Sequence, residues 1–151
     1  MTRFLLDTSV LSALAPGRPA PSNELVRWGR ENQHLLYLPT ITLLEIQQGI
    51  QKLRRSGAEK RSAALDVWFN GVLVDFSDHI VDLDRQSAID AGALSDSLQA
   101  QGRHPGLADI MIAGIARVRG YTILTRNLRH FEPTGVPAFD PFSADPALRP
   151  T

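Results

Sequence analysis

Four oxygen-bearing side chains fall where apolar runs give way to helical patterns: Asp7, Glu45, Asp109 and Asn127. Asp7 closes the run Phe4 to Leu6, and Thr8 and Ser9, both helix-capping types, follow it. Val10, Leu11 and Leu14 then have helical spacing. Glu45 lies in the first turn or two of a helix opened by Thr40 and Thr42, after the short run Leu35 to Leu38. Asp109 begins the helix that follows the Pro105-Gly106 loop, and Asn127 follows the run Tyr121 to Leu124. A parallel sheet aims all four at its carboxyl edge, where open α/β sheets bind ligands. Carboxylates that converge with no Lys or Arg between them repel one another, and a bound cation relieves the repulsion. Hard divalent cations such as Mg²⁺ and Mn²⁺ take oxygen ligands and leave positions for water and substrate phosphate.

Each residue also has a purely structural use. Asp7 suits a helix cap, Thr42-x-x-Glu45 matches a capping box, Asp109 complements the helix dipole, and Asn127 is a common turn residue. Those uses do not explain why all four meet at one sheet edge.

Other α/β chemistries are removed by what is missing. There is no G-x-x-x-x-G-K-[ST], no G-x-G-x-x-G after a strand and no G-x-S-x-G elbow, which argues against nucleotide cradles and serine hydrolysis. A phosphoryl-accepting aspartate, as in haloacid dehalogenase or receiver-domain proteins, would need a late lysine. The only lysines are Lys52 and Lys60, and Ser9 stands where the dehalogenase-type phosphatases place a second Asp. The chain has no cysteine, so disulfides and thiolate zinc sites are excluded. His34, His79, His104 and His130 fall at no metal-ligand spacing and read as surface or loop residues, with His104 and His130 as candidate phosphate contacts.

Around these residues the chain alternates strands and helices. Pro16 to Pro21 is a proline-dense loop, Asn23 to Asn32 a helix, and Leu35 to Leu38 a second strand closed by Pro39. The helix from Thr40 carries Leu43, Ile46, Ile50 and Leu53 at spacings of three and four, and Ser56-Gly57 breaks it. A further helix from Ala58 has the stripe Leu65, Trp68, Phe69, Val72 and Phe76. Its end is open, because Val72 to Val74 also reads as a strand. Ile80 to Leu83 is a third strand, and Asp84 caps a helix to about Ala100 with Ala88, Ala91, Ser95 and Leu98 on a closely packed face. Ala108 to Arg119 is an apolar helix stopped by Gly120, followed by the fourth strand Tyr121 to Leu124. Pro137 to Phe139 reads as an edge strand, and a proline-rich tail closes the chain. Such alternation predicts βαβ units and a mostly parallel sheet covered on both faces. One domain over 1–142 and a tail over 143–151 account for the 151 residues.

Hydrophobic residues make up 43% and charged residues 21%, the balance of a soluble globular protein with a core of its own. No export signal or membrane span is apparent, which favours the cytoplasm. The 16 basic and 16 acidic residues cancel, so a strongly basic nucleic-acid coat is absent. The charge is nonetheless uneven. Arg117, Arg119, Arg126, Arg129 and His130 lie between Asp109 and Glu132 with no acid among them. Lys52, Arg54, Arg55, Lys60 and Arg61 form a second basic group. Solvated faces explain most such clusters, but two basic tracks beside an acidic site also suit a phosphate backbone.

Five stretches together are recognisable: LDTSVLS at 6–12, TITLLEIQQGI at 40–50, ADIMIA at 108–113, LTRNLRHF at 124–131 and GVP at 135–137. In this order they resemble the PIN-domain ribonucleases, and within them the VapC/FitB-like toxins of bacterial toxin–antitoxin pairs. The resemblance covers nearly the whole chain. It implies a three-layer α/β/α sandwich and a Mg²⁺- or Mn²⁺-dependent endoribonuclease that hydrolyses RNA phosphodiester bonds. It carries the family's acidic residues onto Asp7, Glu45 and Asp109. Asp7 and Asp109 are then cation ligands, and Glu45 a ligand or the base for the attacking water. Asn127 stands where family members often have a fourth acid, which implies one firmly held metal. Thr8, Ser9 and Thr125 take supporting roles, and Arg117, Arg119, Arg126 and Arg129 are candidates for holding RNA.

The resemblance further implies a homodimer, a VapB-like antitoxin partner and no membrane association. The stripe of Leu43, Ile46, Ile50 and Leu53 and the Trp68/Phe69 helix are candidate partner surfaces, with core packing the use expected of most of these residues. Two other functions fit the same residues: a PIN nuclease of RNA processing that is not a toxin, and a weakly catalytic PIN-fold interaction module.

Overall fold

A computed structural model describes residues 1–143 of the chain. Of the expected tail over 143–151, all but Ser143 lies outside the described residues. The elements follow in the order β1 (Arg3–Leu6), α1 (Thr8–Ala13), α2 (Asn23–Glu31), β2 (Leu36–Pro39), α3 (Thr40–Arg55) and α4 (Glu59–Asp75). They continue with β3 (Ile80–Val81), α5 (Arg85–Ala100), α6 (Leu107–Arg119), β4 (Tyr121–Leu124), α7 (Leu128–Phe131) and β5 (Ala138–Phe139). The sheet order is β3-β2-β1-β4-β5, and every pairing is parallel.

Strand residues alternate between the two faces of a sheet, and β1 shows where each face goes. Leu5 joins the core under α5 and α6, with Ile110, Ile112, Ile115 and Leu98. Phe4 and Leu6 join the opposite core under α1, α3 and α4, with Val10, Ile46, Ile50 and Phe69. Both faces are therefore covered, as a parallel sheet requires. The mostly parallel three-layer α/β/α arrangement is what the alternation of elements predicts.

Several local expectations need correction. Val72 to Val74 is helix, the last part of α4, because Val72 is buried against the second core and Phe76 closes the helix. The third strand is only Ile80–Val81; Leu83 turns away, its N–H donating to the Thr40 hydroxyl. In α5 the buried face is Ser87, Ala91, Leu94 and Leu98, whereas Ala88 is exposed. Ile46, Ile50 and Phe69 are buried in the core and Leu43 and Trp68 pack against it, which is the use expected of most of that stripe and not the partner surface. The Asp84 cap is as expected: its carboxylate accepts the Ser87 N–H at 2.9 Å. Gly120 stops α6 in the left-handed region at φ 73°, where a side chain would be strained.

The closest helix contact is between α5 and α6. A Cβ at Gly114 would lie 2.6 Å from the Ser87 carbonyl oxygen and 2.8 Å from the Ala91 methyl. Alanine in a helix interior is worth about 1 kcal/mol over glycine, but overpacking costs about 1–3 kcal/mol. The clash is with backbone, so the cost should win. Gly114→Ala is expected to lose up to about 2 kcal/mol in urea unfolding. Gly92→Ala on the open face of α5, where a Cβ meets nothing within 4 Å, should gain about 0.5–1 kcal/mol. Equal responses at the two glycines would contradict this packing.

Candidate active site

Asp7 sits where β1 ends. Its N–H still pairs with the Leu124 carbonyl at 2.9 Å, and its own carbonyl already accepts the Val10 N–H of α1 at 3.0 Å. Its side chain caps no backbone N–H of that helix. The capping role is taken by the main chain, which leaves the carboxylate for other use. Only 4% of Asp7 is exposed. Its Oδ2 accepts hydrogen bonds from the hydroxyls of Ser9 at 2.8 Å and Thr125 at 2.9 Å. Among the described residues no cation pairs with it.

The two hydroxyls are themselves held from β4. Thr125 is fully buried and its oxygen accepts the Asn127 N–H at 2.9 Å; Ser9 accepts the Arg126 N–H at 3.0 Å. The expected supporting residues Ser9 and Thr125 are thus joined to Asp7 directly.

Glu45 reaches the same edge from α3. That helix begins at Thr40 with Pro39 at its cap position, so Thr42 is already inside it. The Thr42 hydroxyl donates to the Leu6 carbonyl at 3.1 Å instead of capping, and the capping-box alternative falls. One turn later, Glu45 Oε1 accepts from the Thr8 hydroxyl at 2.6 Å. Asp109, in the first turn of α6, completes the group. Its carboxyl is pushed up, first by burial and next by the negative charge of Asp7; Glu45 raises it further. His130 opposes this, with Nδ1 3.0 Å from Asp109 Oδ2.

His130 was legible in the sequence only as a candidate phosphate contact. No spacing could pair it with Asp109, because the pairing depends on the turn that α7 makes after Asn127. Asn127 itself is exposed and acts through its backbone: its N–H binds Thr125, and its carbonyl accepts the His130 N–H at 2.9 Å.

The four candidate arginines separate into two pairs. Arg126 and Arg129 lie on the β4–α7 side, Arg126 tied to the site by its N–H on Ser9 and Arg129 within α7. Arg117 and Arg119 are at the far end of α6, and at about 1.5 Å per residue that is more than 10 Å along the helix from Asp109. Arg117 pairs with Asp90 at 2.9 Å and Arg119 with Asp84 at 2.9 Å. The Arg119 carbonyl accepts from Arg3 at the opposite, amino edge of the sheet. Hydrogen bonds from Ser87, with Arg119 contributing, hold Asp84 down to about 2. These two arginines serve that edge and not the acidic site.

The donor set is made only of oxygens, carries three carboxylates and contains no lysine or arginine, so it fits a hard divalent cation. Among the described residues no three His, Asp or Glu side chains lie together closely enough to hold a metal ion by themselves. Mg²⁺ is commonly held by one or two carboxylates, with waters at its other positions.

The PIN-domain family model matches residues 4–135, a span that contains all three carboxylates and Asn127. The chain belongs to the PIN-domain family. This PIN domain is 31% identical over 135 residues, 89% of the chain and 94% of the relative, to the tRNA(fMet)-specific endonuclease VapC of Shigella flexneri. It is 33% identical over 132 residues to the protein of the same description from Salmonella typhimurium, covering 87% and 92% of the two chains. Its fold matches the crystal structure of DNA-bound VapBC from Salmonella typhimurium with a TM-score of 0.76 at 30% identity, over 93% of this chain and 99% of that one. FitAcB from Neisseria gonorrhoeae matches at 0.77 and 27% identity, over 91% and 97%.

The raised Asp109 carboxyl fixes a pH dependence for this PIN domain without metal. Between its unfolded and folded pKa values the folded state holds the extra proton. That stability is fully present below the unfolded value and is lost as pH rises through the folded one. Asp109→Asn removes the charge, so in chelator its melting temperature should exceed the wild type at pH 7, and the gap should close as pH falls to 4. A variant that melts lower than the wild type at pH 7 would contradict the like-charge cluster.

Proposed function

We propose that the chain is the toxin of a VapBC-type toxin–antitoxin pair, an endoribonuclease that hydrolyses RNA phosphodiester bonds with Mg²⁺ or Mn²⁺. The observation that carries this reading is Asp7: a carboxylate buried to 4% exposure, supplied with two hydroxyl donors and with no counter-cation among the described residues, beside an Asp109 that feels the charges of both Asp7 and Glu45. A buried charge without a partner is costly, and a site that tolerates it is built to receive positive charge. The two enterobacterial relatives are named for acting on tRNA(fMet), which makes that tRNA the first substrate to offer.

In this mechanism Asp7 and Asp109 would hold the cation. When bound, it would offset charge on the phosphoryl oxygens and lower the pKa of the attacking water. Glu45, oriented by the Thr8 hydroxyl on its Oε1, would be the base that takes the water's proton. Ser9 and Thr125 orient the Asp7 carboxylate, both hydroxyls donating to its Oδ2, and bring no charge that would cancel its own. Asn127 supplies no charge at the rim, which leaves three carboxylates and goes with a single firmly held divalent ion.

The partners that go with this reading are RNA, a VapB-like antitoxin that covers the site, and a second copy of the chain. Its place of action is the cytoplasm. No helix among the described residues is long and apolar enough to cross a membrane.

Purified protein should cut a tRNA(fMet) transcript in Mn²⁺ and stop in EDTA. Asp7→Asn should abolish the cut while leaving the fold intact, and Thr125→Val should slow it about 10- to 100-fold. Full cleavage by Asp7→Asn, or cleavage undiminished in EDTA, would contradict the assignment.

A further inference from the structure

Beside the carboxylates lies a cleft of about 620 Å³ between the Pro16–Pro21 loop and the turn that joins β4 to α7. Ser9, the hydroxyl donor to Asp7, is on its wall, so the cleft adjoins the acidic site through that one side chain. Two guanidiniums face it, Arg18 from the loop and Arg126 from the turn. We propose that this cleft holds the unpaired RNA strand flanking the scissile phosphate, with Arg18 and Arg126 on its backbone phosphates. The inference rests on the ribonuclease reading above and names where its substrate lies.

Both arginines are exposed, and neither forms an ion pair among the described residues, whereas Arg54, Arg117 and Arg119 each pair with an aspartate. Unneutralised guanidiniums beside an acidic site suit a polyanion that must approach carboxylates. Each is also held in place. The Arg126 N–H is fixed by Ser9 at 3.0 Å, and its guanidinium lies 5.0 Å over the Phe142 ring. Phe142 is anchored in turn by its N–H to Asp140 Oδ1 at 2.9 Å.

Arg18 follows Gly17, whose φ of +83° makes the turn, and its N–H donates to the Ala15 carbonyl at 3.3 Å. Pro16, Pro19 and Pro21 stiffen the loop around it. Arg18 also lines a smaller recess of about 160 Å³ together with Glu45 and Arg61. It therefore stands between the approach to Asp7 and the approach to Glu45. The acid on the cleft wall, Glu24, sits at the first turn of α2.

The volume suits a nucleotide better than a lone phosphate, since clefts of about 300–1,000 Å³ are those that bury most of a drug-sized ligand. Unpaired RNA is the form in which bases can be splayed away from a helix and held by aromatic and guanidinium planes.

The test is binding without cleavage. Full-length Asp7→Asn protein is titrated with a fluorescein-labelled RNA stem-loop whose loop is unpaired, at several salt concentrations. Arg18→Ala and Arg126→Ala in that background should each weaken binding about 5- to 10-fold and lower the salt slope by about 0.7, the share of one single-strand phosphate contact. Arg18→Lys and Arg126→Lys should retain the slope, and Arg117→Ala should change nothing. An Arg18→Ala/Arg126→Ala double variant that matches its parent in affinity and slope would overturn the cleft assignment alone. A parent that binds no RNA at low salt would overturn the ribonuclease reading and the cleft with it.

Discussion

The Asp7 carboxylate is buried, ionisable and met by hydroxyls instead of a cation, and much of the structure follows from accommodating it. Neutral donors lower the cost of the charge by replacing water, yet they leave the charge itself in place. The Asp109 carboxyl is raised first by burial and then by that charge. An apolar core with this arrangement would be better served by neutral residues. The arrangement makes sense where a positive ion completes it, since two or three oxygens with room for water are what a hard cation takes.

The scaffold builds this edge from its two inner pairings. β1 lies between β2 and β4, and the residues that leave each of these strands bear the site. From β1 come Asp7, Thr8 and Ser9; from β2, through Pro39 and α3, come Thr42 and Glu45; from β4 come Thr125, Arg126 and Asn127. Cross-links tie the three exits together: Thr42 to the Leu6 carbonyl, Thr8 to Glu45, and Thr125 and Ser9 to Asp7. Only Asp109 and His130 arrive from outside these strand ends, and they hold each other at 3.0 Å. Shifting either inner pairing would break several of these contacts together, so the register of the sheet and the geometry of the site are one constraint.

Much of this was legible in the residues. An aspartate at the end of an apolar run, followed by Thr8 and Ser9, placed the first carboxylate at the sheet edge. The βαβ alternation then carried Glu45 and Asp109 there too. The capping box at Thr42 and Glu45 was a false competitor, because where α3 starts depends on the chain leaving β2 at Pro39. Helical length decided the arginines: Arg117 and Arg119 share an acid-free stretch with Arg126, but the axis of α6 carries them to the other edge of the sheet. His130 and Arg18 were illegible as site neighbours for a common reason. Each is placed by a turn, after Asn127 and at Gly17, and turn geometry leaves no periodic trace in sequence. The extent of the third strand was also hidden, since the bond from Leu83 to Thr40 is tertiary.

If the three carboxylates form a site for a divalent cation, calorimetric titration of the purified full-length chain with Mn²⁺ gives one ion per chain, with the heat lost in Asp7→Asn and retained in Arg117→Ala. No heat with the wild-type chain, or an undiminished isotherm with Asp7→Asn, rules that site out.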